Sequence, residues 1–380
     1  MKSFEFQLPT RIVFGFGASE SAGREAAALG TRALVVTDPG VMASGIVDPI
    51  VSHLDDEAVG HVLFSDISQN PRDVEVEAGV AIAREHECDV LVAVGGGSAI
   101  DCAKAIGTLM TNGGRVQDYE GLGKLTRPSA PMIAVPTTHG TGSEVTFWYV
   151  ITDAAEKRKI DAGSPLLAAR VALVDPELTL SLPPALTAST GLDALTHAIE
   201  AYTGLPSEPL TDSLALTATA LLGRSLRKAY ANGQNREAKY DVTLASLLAG
   251  VAFGNSDVAA VHCISETLGG FYDIPHGVAN AIYLPIVVKH NLLAEPEKFR
   301  DLARAFGGGL EPADDGEQLV HMLEKLNRDL GIPSAREVGV RDEDIPRLAE
   351  ICATNVSVES NVRPVASEDF SHMLETGQAV

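Results

Sequence analysis

In the first half of the chain, apolar residues come in short unbroken runs. "ALVVTD" (33–38), "HVLFSD" (61–66), "VLVAVGGG" (90–97), "MIAVPTT" (132–138) and "VALVDP" (171–176) are rich in Val, Leu and Ile, and each ends in turn residues. Unbroken apolarity predicts strands buried on both faces, as in a parallel sheet. Between the runs lie segments of helical periodicity, such as "ASESAGREAAALG" (18–30) and "DVEVEAGVAIAREHE" (73–87). Strands alternating with helices predict an open, Rossmann-like α/β sheet covered on both sides.

The pattern changes at "SLPPAL" (181–186). Beyond it strand-like runs almost vanish, and helices are predicted over 187–203, 209–229, 236–253, 256–269, 277–291, 296–306, 316–330 and 343–354. The Pro-Pro pair divides an α/β domain, 1–183, from an all-α domain, 184–380. No internal repeat or low-complexity linker interrupts either.

Composition changes this picture little. The 380 residues suffice for two domains, and 45 % hydrophobic with 21 % charged is ordinary globular usage. No apolar run reaches the about 18 residues of a membrane span, and "MKSFEFQLPT" lacks a signal peptide's apolar core. Four scattered cysteines without a CxxC pair predict a reducing, cytoplasmic setting. A net charge of −22 disfavours nucleic acid and anionic membranes as partners.

"VLVAVGGGSAIDCAKAIG" (90–107) reads as strand, tight turn, helix. Gly95, Gly96 and Gly97 allow close approach of a ligand, and Ser98 is placed to cap the helix. A helix N-terminus at a strand's carboxyl end suits a pyrophosphate. Asp101 and Lys104 follow on the same helix. Asp101 is a candidate for a ribose or polar substrate group, and Lys104 for a phosphate or substrate carbonyl. A plain capped helix with a surface ion pair fits the same residues. "PTTHGTGSEVT" (136–146) ends another strand with hydroxyls at Thr137, Thr138, Thr141 and Ser143. Asp38 closes "ALVVTD"; a carboxylate there accepts from ribose hydroxyls and repels a 2′-phosphate, favouring NAD over NADP.

In "GLDALTHAIEAY" (191–202), Asp193 and His197 stand at i, i+4 on one helix face. They make half a divalent-metal site, or an ordinary exposed pair. "VHCISETLGGFYDIPHG" (261–277) carries His262 and His276 fourteen residues apart. One straight helix would separate them by roughly 21 Å. A helix end at Gly269-Gly270 and a turn at "YDIPHG" would fold them back together. Asp193, His197, His262 and His276 then form a set suited to Fe²⁺ or Zn²⁺.

Taken in order, "GGGSxxDxxK" (95–104), "PTTxGTGSE" (136–144), "LVDPEL" (173–178), "GxDxxxHxxE" (191–200) and "PHGxANA" (275–281) resemble the iron-containing, group III, alcohol dehydrogenases over essentially the whole chain. The resemblance implies NAD(P) on the glycine turn and a metal on the residues matching Asp193, His197, His262 and His276. It implies an active site in a cleft between the domains, a small alcohol or aldehyde substrate, and a homodimer or larger homo-oligomer. Three departures stand out. Glu266 occupies a position where many relatives carry histidine, His139 one where many carry a small residue, and "NVR" (361–363) replaces "NPR". Glu266 is read as a proton relay or extra ligand, with His139 partly compensating; reshaping of the substrate pocket is the other reading of both. The competing functions are a maleylacetate-type reductase, a dehydroquinate-synthase-like lyase and a metal hydrolase without nucleotide. The intact ligand set, the scarcity of Lys and Arg near it, and the glycine turn with Asp38 argue against them in turn.

Overall fold

The computed structural model describes residues 3–307 and 316–378. Its contacts cluster into two compact units. One holds residues 7–138 and 142–179; the other holds residues 3–6, 139–141 and 180 onward.

The first unit is built on a six-stranded, fully parallel sheet and a smaller three-stranded one. In chain order its elements are β1 (Arg11–Phe14), α1 (Ala22–Ala27), β2 (Arg32–Val36), α2 (Pro39–Ser44), α3 (Val47–Asp56), β3 (Gly60–Phe64), α4 (Asp73–Glu85), β4 (Val90–Gly95), α5 (Gly97–Asn112), β5 (Gly121–Leu122), β6 (Met132–Pro136), β7 (Trp148–Asp153), β8 (Arg158–Gly163) and β9 (Val171–Val174). The large sheet runs β1-β9-β6-β4-β2-β3. The five apolar runs supply β2, β3, β4, β6 and β9. β4 is buried throughout, as a central strand with covered faces must be. From β2 the chain moves outward to β3, returns to β4 and continues in the opposite direction. The carboxyl ends of β2 and β4 therefore flank a topological switch point, where such sheets bind ligands.

The small sheet, β5-β8-β7, was not foreseen. β7 and β8 pair antiparallel from Trp148↔Gly163 to Asp153↔Arg158. β7 alternates half-buried and buried residues, a period-2 signature distinct from the unbroken runs.

The second unit is helical: α6 (Pro184–Thr203), α7 (Pro209–Ala231), α8 (Arg236–Asn255), α9 (Ala260–Tyr272), α10 (His276–Asn291), α11 (Pro296–Gly307), α12 (Gly316–Leu330), α13 (Ile345–Cys352) and α14 (Ser367–Gly377). The core is one apolar cluster, with α6 buried along nearly its whole length. Two boundaries differ from expectation. α9 runs through Gly269 and Gly270 and ends at Tyr272, where Asp273 takes the left-handed conformation (φ 60°) that short acidic side chains tolerate. It begins at Ala260, not 256, because residues before it turn aside to meet a carboxylate on α6. Among the described residues no single helix is long and apolar enough to cross a membrane.

Candidate metal centre and nucleotide site

The ligand-like residues of the helical unit converge. Asp193 and His197 lie on α6, His262 near the start of α9, and His276 opens α10. One donor atom from each lies within 4.8 Å of all the others. The turn after Asp273 reverses the chain, so the fourteen-residue gap closes as a helix–turn–helix. Gly277 permits the final approach: a Cβ there would stand 2.4 Å from the Ser189 carbonyl oxygen of α6. A larger residue would push α10, and His276 with it, off Asp193.

Each imidazole is aimed by a contact behind it. The His262 Nδ1–H donates to Glu200, a carboxylate only 3 % exposed. Glu200 also accepts from the backbone N–H groups of Ala259 (2.9 Å) and Val261 (2.7 Å). One buried side chain thus caps α9 and fixes the His262 tautomer, leaving Nε2 for the cluster. The His197 Nδ1–H donates to the Gly140 carbonyl at 3.3 Å, with the same effect. Phe253 stacks on the His197 ring at 4.2 Å, and His262 lies beyond at 4.6 Å. Burial and the neighbouring His262 hold the His197 pKa well below the ordinary value, so its ring is neutral and available as a ligand. Burial is the largest influence on His262 and opposes its protonation, but the Glu200 charge and hydrogen bond together with the Asp193 and Glu266 charges outweigh it and raise that pKa.

The Asn280 amide nitrogen lies 2.7 Å from the Asp193 carboxylate, 3.3 Å from His262 Nε2 and 3.2 Å from His276 Nε2. Three acceptors crowd one donor that has two hydrogens, while the Asn280 amide oxygen is buried without a partner. A cation is the group that satisfies all four converging donors, and three nitrogens with one carboxylate oxygen suit a divalent transition ion. His276, with its side chain 38 % exposed, forms the open edge of the group.

Glu266 stands one turn beyond His262 but outside the converging set; its carboxylate accepts from the Asn355 amide at 2.6 Å. His139 is fully buried, with ring nitrogens at Thr190 Oγ1 (3.2 Å) and Lys239 Nζ (3.4 Å). Sequence reading missed Glu200, Asn280 and Lys239. Glu200 and Asn280 were within reach, since one ends the "GxDxxxHxxE" pattern and the other is the Asn of "PHGxANA"; Lys239 carries no local signal.

Lys239 is 0 % exposed, and burial lowers its pKa from 10.5 to about 8. Below pH 8 both folded and unfolded chains carry the proton, and burial of the charge is opposed. Between pH 8 and 10.5 the folded state has shed a proton that the unfolded state retains, so this residue makes stability rise with pH. The span amounts to roughly 3 kcal/mol. Lys239→Met is therefore expected to raise the denaturation midpoint at pH 7, with the gain fading towards pH 10.5 in pH-resolved urea melts.

In the α/β unit, β4–β6 pairing sets Gly95 opposite Pro136, and the Thr137 N–H donates to the Gly95 carbonyl at 3.0 Å. The glycine turn and the threonine loop thus lie side by side, with Thr138 against Gly96. Asp38, after β2, caps α2 through Oδ1 alone, accepting from Gly40 (2.9 Å) and Val41 (3.0 Å). α5 starts at Gly97 after Gly96, which has no side chain with which to cap the helix. Ser98 is therefore not the cap: it lies inside the first turn and donates to the Gln69 carbonyl.

Asp101 and Lys104 are both held by contacts within the α/β unit. Asp101 accepts from the Val150 N–H at 3.0 Å and from the Ser143 hydroxyl. Lys104, 1 % exposed, donates to the Trp148 carbonyl (2.6 Å) and Thr146 Oγ1 (3.2 Å). Both tie α5 to β7, because the small sheet packs over that face of the helix. Glu144 is buried as well; burial raises its pKa to about 7, against the lowering influence of its own backbone and of Lys104. Thr141 groups with the helical unit, beside Gly140.

The model of the iron-containing alcohol dehydrogenases matches residues 9–176, and that of the family's C-terminal part matches 187–377. The 1,3-propanediol dehydrogenase of Citrobacter freundii is 42 % identical, over 98 % of this chain and 98 % of its own. The NAD-dependent methanol dehydrogenase of Bacillus methanolicus is 38 % identical over 97 % and 98 %. A crystal structure of a 1,3-propanediol oxidoreductase superposes with a TM-score of 0.96 at 40 % identity, covering 99 % of this chain and all of that one.

Proposed function

Since the chain belongs to the iron-containing alcohol dehydrogenase family and is an oxidoreductase of CH–OH donors, we propose that it interconverts a short alcohol or diol and its aldehyde with NAD. Asp193, His197, His262 and His276 would hold the divalent cation. The observation that carries this reading is the convergence of their four donor atoms within 4.8 Å. When bound, such an ion supplies a Lewis acid that stabilises negative charge on a substrate oxygen, and NAD supplies the hydride acceptor.

The chain's own residues do the rest. Glu200 and the Gly140 carbonyl hold His262 and His197 with Nε2 forward. Phe253 covers one face of His197 and keeps water from it. The N–H groups that open α5 at Gly96–Ser98, with a glycine at the cap, suit the pyrophosphate, beside Thr137 and Thr138. Asp38 has Oδ2 to spare for a ribose hydroxyl and repels a 2′-phosphate, which supports NAD over NADP. A reducing cytoplasm fits the four buried free thiols, and a homo-oligomer is what the resemblance to the family implies. Full-length relatives named for alcohols favour neither the dicarboxylate reductase nor the lyase.

The test is steady-state turnover of 1,3-propanediol and 1-propanol with NAD⁺ and NADP⁺, before and after chelation. We expect turnover with NAD⁺, at least about tenfold poorer kcat/KM with NADP⁺, and loss on chelation that added Fe²⁺ or Zn²⁺ restores. Turnover indifferent to chelation would refute the metal assignment.

A further inference from the structure

Lys239 on α8 is a fully buried cation, and among the described residues its Nζ pairs with no carboxylate. Its Nζ donates to Thr187 Oγ1 at 2.9 Å and to His139 Nε2 at 3.4 Å. Burying a charge in this way opposes folding, so the arrangement must hold something in place.

The direction of each hydrogen bond can be read. An ammonium only donates, so His139 Nε2 accepts and the ring proton sits on Nδ1. That proton goes to Thr190 Oγ1 at 3.2 Å, and the Thr190 hydroxyl donates in turn to the Leu186 carbonyl at 2.7 Å. His139 is kept neutral by burial and by the Lys239 charge, which push its pKa down to about 3. Lys239 spends a second N–H on Thr187, and each link of the chain Lys239–His139–Thr190–Leu186 joins a donor to an acceptor in one direction.

It ends on the helix that carries two of the converging donors. Thr190, Asp193 and His197 follow at spacings of three and four along α6, on one face. Residues 139 and 140 lie along that face. His139 is fixed at Thr190, and the next residue, Gly140, offers its carbonyl to His197 Nδ1. Gly140 packs so closely that a Cβ would stand 2.7 Å from the Thr190 carbonyl oxygen.

We propose that Lys239 and His139 are positioning residues for His197: together they pin residues 139–141 to α6, so that the Gly140 carbonyl holds the His197 tautomer and leaves Nε2 facing Asp193, His262 and His276. The proposal rests on the metal assignment above. It makes His139 a support for a ligand rather than a group that meets substrate.

The test uses the full-length protein stripped of metal. Co²⁺ binding is followed by visible absorption and by competition with a chelating dye, for wild type, H139A, K239M, the double variant and H262A. We expect H139A and K239M each to weaken Co²⁺ binding by about 10- to 100-fold and to shift its visible bands. The double variant should be no weaker than the worse single one, because the pair acts as a unit. NADH binding should be unaltered throughout. Wild-type Co²⁺ affinity and spectrum in cooperatively melting K239M would overturn the proposal. K239M replaces a buried charge by an apolar chain of similar length, so it carries the test even if H139A does not fold. Failure of the underlying assignment shows differently: wild type would take up no stoichiometric Co²⁺, or H262A would bind it equally well, and the proposal would fall with it.

Discussion

Replacing His262 with alanine is expected to lower kcat/KM for a short alcohol by about 10³-fold or more, the scale on which losing one strong stabiliser of a developing oxyanion is felt. The same change should cost roughly 2–3 kcal/mol of stability. Glu200 is buried beneath the ring and keeps only its two backbone donors once the imidazole is gone. Stranding one partner of a buried ionic pair costs about 3–5 kcal/mol, and the two remaining N–H groups offset part of that. The two effects separate in Asp193→Asn. That variant keeps shape and the Asn280 contact but loses the charge, so activity should fall with little change in the denaturation midpoint. Urea melts and steady-state kinetics on both variants check the pair of expectations. A His262→Ala enzyme within tenfold of wild type would remove that imidazole from the account.

Glu200→Gln carries the second large effect. Three donors converge on the Glu200 carboxylate, and a glutamine offers one oxygen and turns its NH₂ towards an N–H. A donor facing a donor in a buried site costs about 1–3 kcal/mol. With its oxygen kept where Ala259 and His262 donate, the glutamine still accepts from His262 Nδ1–H but no longer supplies the negative charge that holds that imidazole. Mutating such an outer partner typically weakens metal binding by about 10- to 100-fold. The expected result is a cation affinity down by that factor with NADH binding retained, read by chelator competition and fluorescence. Unchanged affinity would make Glu200 a helix cap and nothing more.

What could be read in advance follows from the range of the forces involved. The six-stranded sheet was legible because central parallel strands must be apolar on both faces, as Val90–Gly95 is. The convergence of Asp193, His197, His262 and His276 was legible because i, i+4 spacing on α6 and the turn before Pro275 are local facts. The hairpin Trp148–Asp153 with Arg158–Gly163 escaped because its first strand alternates, its second opens on two half-buried charged residues and its turn is charged, so no unbroken run marks it. The contacts that hold Asp101 and Lys104 escaped for a non-local reason: β7, more than forty residues on, covers that helix face. The start of α9 is likewise set by a carboxylate about sixty residues earlier. Glu266 was noticed as a departure, but its partner Asn355 lies across the unit and leaves no trace near position 266.

The central claim is that Asp193, His197, His262 and His276 together hold one divalent ion. Titrating Co²⁺ into the metal-stripped wild-type protein, and watching the visible ligand-field bands, tests it most directly. The account predicts saturation at one equivalent per chain, with bands of a low-coordinate nitrogen–oxygen site that are absent in His262→Ala. No saturable uptake, or identical bands in the variant, would contradict it.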